Sequence, residues 1–223
     1  MLAGLMNIVH SLTDESLESA AKVISSGGIV IVPTETFYAL AANPFDPAAL
    51  RRLLAIKSRS TGKPLALIAD SFDSVRRLVA EPSHTAVALM QRFWPGSLTI
   101  LLDPLEPLPS AIVGPHGKVG VRVPPPCPAR DLASRVGGFI TATSANLSGD
   151  SDPDLVARIA PDVREAADLI LDLGRTAGDK PSTVVEPVED SVRVLREGAI
   201  PAATIREFLR AVSHRESGTA PKP

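Results

Sequence analysis

Phe139-Ile140-Thr141-Ala142-Thr143-Ser144-Ala145-Asn146-Leu147-Ser148-Gly149 is the stretch on which the reading of the fold turns. Phe139–Thr143 has the apolar and β-branched character of a strand. The chain then runs directly into small hydroxyl and amide side chains closed by a glycine. Such a loop offers several hydrogen-bonding groups at close range, and on composition alone it also fits an ordinary capped turn. Working outward, a helix near Ala129–Val136 leads into the strand. A short helix from Pro153 and a strand near Leu169–Asp172 follow it. This interleaving places the chain among α/β proteins, whose ligands sit outside strand ends.

The same pattern extends in both directions. Thr13 caps a helix with Leu17, Ala20, Ala21 and Ile24 on one face, ended by Gly27-Gly28. Ile29–Val32 is a buried strand stopped by Pro33. Asp46-Pro47 opens a helix that ends near Lys57, with Leu50, Leu53 and Leu54 inward. Pro64–Ala69 returns as a strand, and Ser71 and Ser83 cap two further helices. Leu98–Leu102 and Val119–Val123 are strands joined by a proline-rich crossing, and Thr183–Glu186 and Val192–Leu195 follow one another without room for a crossover helix. The expectation is therefore one twisted, mixed parallel/antiparallel sheet flanked by helices, with a concave basic cleft. A last helix starts at Pro201. The domain is expected to span residues 10–212, and residues 213–223 have the composition of a flexible tail.

Composition narrows the classes. Of 223 residues, 44% are apolar and 4% aromatic, which supports an aliphatic core and excludes global disorder. A net charge of −2 argues against a protein that coats nucleic acid but allows a local basic cleft. One cysteine permits no intramolecular disulfide, and no stretch approaches the roughly 20 apolar residues of a membrane span. A cytoplasmic location is expected.

Between Asp46 and Asp70 stand Arg51, Arg52, Lys57, Arg59 and Lys63 without one acidic residue. Arg51 and Arg52 lie on the helix and fit a solvated face equally well. Lys57, Arg59 and Lys63 gather at the helix end and around Ser60-Thr61-Gly62, which reads as an anion site. Pro33-Thr34-Glu35-Thr36 is another polar strand end. Arg122 alternates with Val121 and Val123, so one strand face presents a cation. Pro181-Ser182-Thr183 and Arg196-Glu197-Gly198 flank the last two strands. No phosphate-loop motif occurs, and the four histidines and Cys127 show no metal-ligand or nucleophile arrangement, so no protein-held metal is expected.

These motifs, with Lys63-Pro64-Leu65, Trp94-Pro95-Gly96, Val121-Arg122-Val123-Pro124, Ser182-Thr183-Val184-Val185 and Leu195-Arg196-x-Gly198, occur in the order seen in the YrdC/Sua5 family. The chain resembles that family over roughly residues 20 to 210, in a short form without the Sua5 C-terminal domain. The resemblance implies a threonylcarbamoyl-AMP synthase, a nucleotidyltransferase joining L-threonine, bicarbonate and ATP, with Mg2+ accompanying ATP, for modification of tRNA position 37. It implies that Lys57, Arg59, Lys63, Ser144, Asn146 and Arg196 bind ATP, with Lys57, Arg59, Ser144 and Asn146 at the reacting centre. Thr34, Thr36, Arg122 and Ser182 would bind threonine. A downstream threonylcarbamoyltransferase complex and contact with tRNA or double-stranded RNA are the implied partners. Ala39 stands where the family usually has glycine, and Ala66, Leu67 and Ile68 fill a strand where many members place a histidine. An alternative is a YciO-like paralogue that binds nucleotide or double-stranded RNA without full synthase activity.

Overall fold

The computed structural model describes residues 7–57, 63–147 and 149–216. Its helices start where their caps direct. Ahead of α1 (Asp14–Ser25), the Ser16 N–H donates to Thr13 Oγ1 at 3.1 Å and the Thr13 N–H donates to Ser16 Oγ at 2.9 Å. This is a capping box in which serine replaces the usual glutamate. Asp46 Oδ1 accepts from the Ala48 and Ala49 amides to open α2 (Pro47–Ile56), with proline in the first turn where no amide proton is needed. Ser71 and Ser83 cap α3 (Phe72–Leu78) and α4 (His84–Phe93) in the same way. The remaining helices are α5 (Pro128–Arg135), α6 (Pro161–Glu165) and α7 (Ala202–Glu216). The segment after Pro153 forms a single 3-10 turn, Val156–Arg158, before α6 begins.

The strands are β1 (Asn7–Val9), β2 (Val30–Pro33), β3 (Tyr38–Ala41), β4 (Leu67–Ala69), β5 (Leu98–Leu102), β6 (Val119–Arg122), β7 (Phe139–Thr141), β8 (Thr143–Ser144), β9 (Leu169–Leu171), β10 (Thr183–Val188) and β11 (Ser191–Arg196). Pairing is mixed, as expected, but the strands divide between two sheets. One has the order β1-β9-β2-β3-β8 and the other β11-β10-β5-β6-β4-β7. The division falls inside the stretch quoted first. β7 pairs antiparallel with β4 in the larger sheet, whereas β8 pairs antiparallel with β3 in the smaller one. Between them Ala142 leaves both ladders and donates its N–H to Ala66 O at 2.7 Å.

Two apolar clusters hold this arrangement. β2 is buried on both faces: Ile31 joins the larger cluster with Leu40, Leu53, Leu67, Leu98 and Val121, while Val30 and Val32 join a second under α1 and α5. β4 repeats the alternation, Leu67 toward the first cluster and Ile68 toward the second. Each such fully buried Leu or Ile contributes about 1.5–3 kcal/mol relative to exposure. Among the described residues no helix is long and apolar enough to cross a membrane.

Candidate functional site

Strand ends from both sheets border one cavity of about 1090 Å³. Every sequence-predicted site residue within the described segments lines it; Arg59 lies outside those segments.

At one end stands Lys57. A cation at a helix end ordinarily faces solvent, yet Lys57 is only 3% exposed. Its long stem reaches the end of β8 and the loop beyond it, where Nζ donates to Ser144 O at 2.7 Å and to Asn146 Oδ1 at 2.5 Å. Ser144 Oγ donates to the same Asn146 oxygen at 2.7 Å. The Asn146 amide nitrogen donates in turn to Asp150 O at 2.7 Å and Asp152 Oδ1 at 3.2 Å, which fixes which way the amide points. Gly149 at φ +104° carries the chain through this turn in a conformation that a side chain would strain. Lys63 lines the cavity wall beside Pro64. Arg52, by contrast, pairs with Asp168 at 3.1 Å, and a structural role accounts for it.

The other end is built on the larger sheet. Arg122 is 6% exposed and ends β6, its neighbours Val121 and Val123 turned into the core. It forms an ion pair with Glu35, whose Oε1 also accepts from Ser97 Oγ at 3.1 Å. Burial pulls the Arg122 guanidinium down to about 10, and Arg196 adds a smaller downward push by charge repulsion. Arg122 therefore stays charged at neutral pH. Burial also lowers Arg196 and raises the Cys127 thiol.

Ser182 is held from two sides. Its Oγ lies 3.0 Å from Thr99 Oγ1, and Arg196 Nη2 donates to Ser182 O at 2.8 Å and to Ser182 Oγ at 3.2 Å. Gly198 lets the chain pass this close, because an added Cβ would sit 2.1 Å from Pro181 O. Thr34 Oγ1 donates to Phe37 O at 2.8 Å and accepts from the Thr36 amide at 3.1 Å, a hydroxyl-capped turn. This turn presents Thr36 to the cavity beside it.

Sequence reasoning missed Glu35, Ser97 and Thr99 as structural partners of the site. For Thr99 a signal existed, since it is a lone hydroxyl between Leu98 and Ile100 and both neighbours are core residues. Ala39 lies opposite Ser144 in the β3–β8 pair. Among the described residues only Glu189 combines a side chain with a positive φ, so the Ala39 backbone does not need glycine. Of Ala66, Leu67 and Ile68, only Ala66 lines the cavity.

The Sua5/YciO/YrdC family model, described as telomere recombination, matches residues 22–198. A threonylcarbamoyl-AMP synthase of Pyrococcus abyssi is 33% identical over 205 residues, covering 92% of this chain and 60% of that protein. A threonylcarbamoyl-AMP synthase of Chromobacterium violaceum is 37% identical over 182 residues, covering 80% and 91% of the two chains. Among solved structures, that of P. abyssi Sua5 complexed with L-threonine superposes with a TM-score of 0.83 at 34% identity, covering 92% of this chain and 60% of that one.

Proposed function

The chain belongs to the Sua5/YciO/YrdC family, and from that premise we propose that it is a threonylcarbamoyl-AMP synthase. It would convert L-threonine, bicarbonate and ATP into L-threonylcarbamoyladenylate and pyrophosphate, as a nucleotidyltransferase of the cytoplasm. The observation that carries this reading is a single cavity of about 1090 Å³ with two separately built cationic ends. That volume lies at the top of the usual range of about 300–1,000 Å³ for a small-molecule site and leaves room for two small ligands side by side. Two relatives named threonylcarbamoyl-AMP synthase, and a related structure holding L-threonine, support the choice of substrates.

In this reading the threonine amine attacks the carbon of bicarbonate, one C–O bond breaks, and the oxygen leaves as water with an amine proton, giving a carbamate. The carbamate oxygen attacks the α-phosphorus of ATP and pyrophosphate leaves. Lys57, with Arg59 and Lys63, would hold phosphate oxygens. Ser144 and Asn146 would orient the nucleotide and the carbamate. Arg122 and Ser182 would grip the threonine carboxylate, Thr34 and Thr36 would line the side-chain pocket, and Arg196 would contact the nucleotide. The protein's contribution is positioning and charge stabilisation, with no covalent intermediate. Among the described residues no group of three or more His, Cys, Asp or Glu could hold a metal. Magnesium would enter as part of the MgATP substrate, carried by phosphates and water. The domain would span residues 10–212. The product would pass to a threonylcarbamoyltransferase acting on tRNA.

Incubation with MgATP and bicarbonate should release pyrophosphate only when L-threonine is added. Release without threonine, or none with it, refutes the assignment.

A further inference from the structure

None of these roles employs Glu35, although it forms an ion pair at the heart of the amino-acid end. The side chains of Glu35 and Arg122 are 12% and 7% exposed, so the pair is shielded from water. Among the described residues, Glu35 is the one hydrogen-bond partner of Arg122. Glu35 is itself fixed by Ser97 Oγ on its Oε1, while Oε2 is buried and has no hydrogen-bond partner among the described residues. Arg122 lines the cavity and Glu35 does not. A guanidinium is a planar fork with five donors, so a carboxylate on one edge sets the direction of the other.

We propose that Glu35 is a positioning residue for amino-acid recognition: it holds Arg122 from behind, so that the remaining N–H groups face the α-carboxylate of the substrate. The proposal rests on the reading of Arg122 as the threonine carboxylate anchor. Glu35 makes no contact with substrate and acts only through Arg122.

The test is a double-mutant cycle of Glu35→Gln, Arg122→Ala and the double variant. Equilibrium binding of L-threonine and of ATP is measured for each, together with threonine KM and kcat. In Glu35→Gln, which keeps the shape but removes the charge, L-threonine affinity should fall about tenfold or more. ATP affinity and kcat should stay within about twofold, since neither depends on Arg122 in this scheme. With Arg122 already replaced by alanine, Glu35→Gln should cost no further threonine affinity, and Glu35→Asp should recover part of the single-variant loss. Equal losses for both ligands, or additivity in the cycle, would overturn the role. A wild-type protein that fails to bind L-threonine overturns the functional reading as well. Wild-type binding with an unaffected Glu35→Gln overturns the positioning role alone. If Glu35→Gln does not fold, Ser97→Ala, which loosens the same carboxylate, should weaken threonine binding about threefold and spare ATP. Unchanged threonine affinity in Ser97→Ala would then refute the proposal.

Discussion

The two ends of the cavity recruit their cations in different ways. Lys57 comes off the C-terminus of α2 and is captured by a loop, its partners Ser144 and Asn146 lying two residues apart. Arg122 lies at the end of a strand, and its surroundings come from separate segments: Glu35 after β2, Ser97 before β5, Ser182 before β10. A loop concentrates polar groups in sequence, whereas a sheet collects them one strand at a time. The first construction can be read as a motif, and the second becomes visible only when the strands are assembled.

The comparison can be broken by substitution. If Lys57 is the charge on which the transferring phosphoryl group depends, Lys57→Ala should lower pyrophosphate release by about 10³-fold. Because Lys57 is buried, its loss also leaves the Asn146 oxygen short of a donor, so the melting temperature should fall as well. Retained turnover would remove the distinction between the two ends. Arg122→Ala should raise the threonine KM by about 10- to 100-fold while changing the ATP KM little, as the loss of hydrogen bonds to a charged group predicts. A matching rise in both constants would show that the two ends act as one.

Two smaller effects sharpen the contrast. Gly198→Ala places a methyl group 2.1 Å from Pro181 O and should cost about 1–2 kcal/mol in urea unfolding. That strain bears on the Ser182 segment, so threonine binding should weaken before ATP binding does. The last test concerns pH. The folded protein keeps Arg122 protonated below about 10, and loss of that proton removes the cation that attracts a carboxylate. The ratio of threonine affinities between wild type and Arg122→Ala cancels the ligand's own titration. It should be flat from about pH 6 to 9 and fall toward one as pH rises through about 10.

Much of the architecture was legible because caps and alternation are local. Thr13, Asp46, Ser71 and Ser83 each mark a helix start, and each helix starts there. β3 was not, because Tyr38-Ala39-Leu40-Ala41 has few β-branched residues and takes its extended form from pairing with β2 and β8. β1, three residues long, is set by its parallel partner β9. At the site, residue types pointed to cations and hydroxyls but not to their burial. Lys57 looks exposed when counted along α2 and is enclosed only because β8 brings Ser144 and Asn146 over it. Glu35 stood within a recognised motif, yet its partner is 87 positions away, and no local pattern carries that distance.

Ala142, the one residue between β7 and β8, acts as a mechanical tie between the two sheets. Ser144 belongs to the smaller sheet and Arg122 to the larger, so the gap between the proposed nucleotide and amino-acid ends is the gap between two separately hydrogen-bonded plates. In the proposed reaction, the spacing between the plates would set the path along which the carbamate reaches phosphorus. The packing between the plates would then work as a gauge block, and a change of side-chain volume in that layer should register as a change in reaction distance without altering a single residue that lines the cavity.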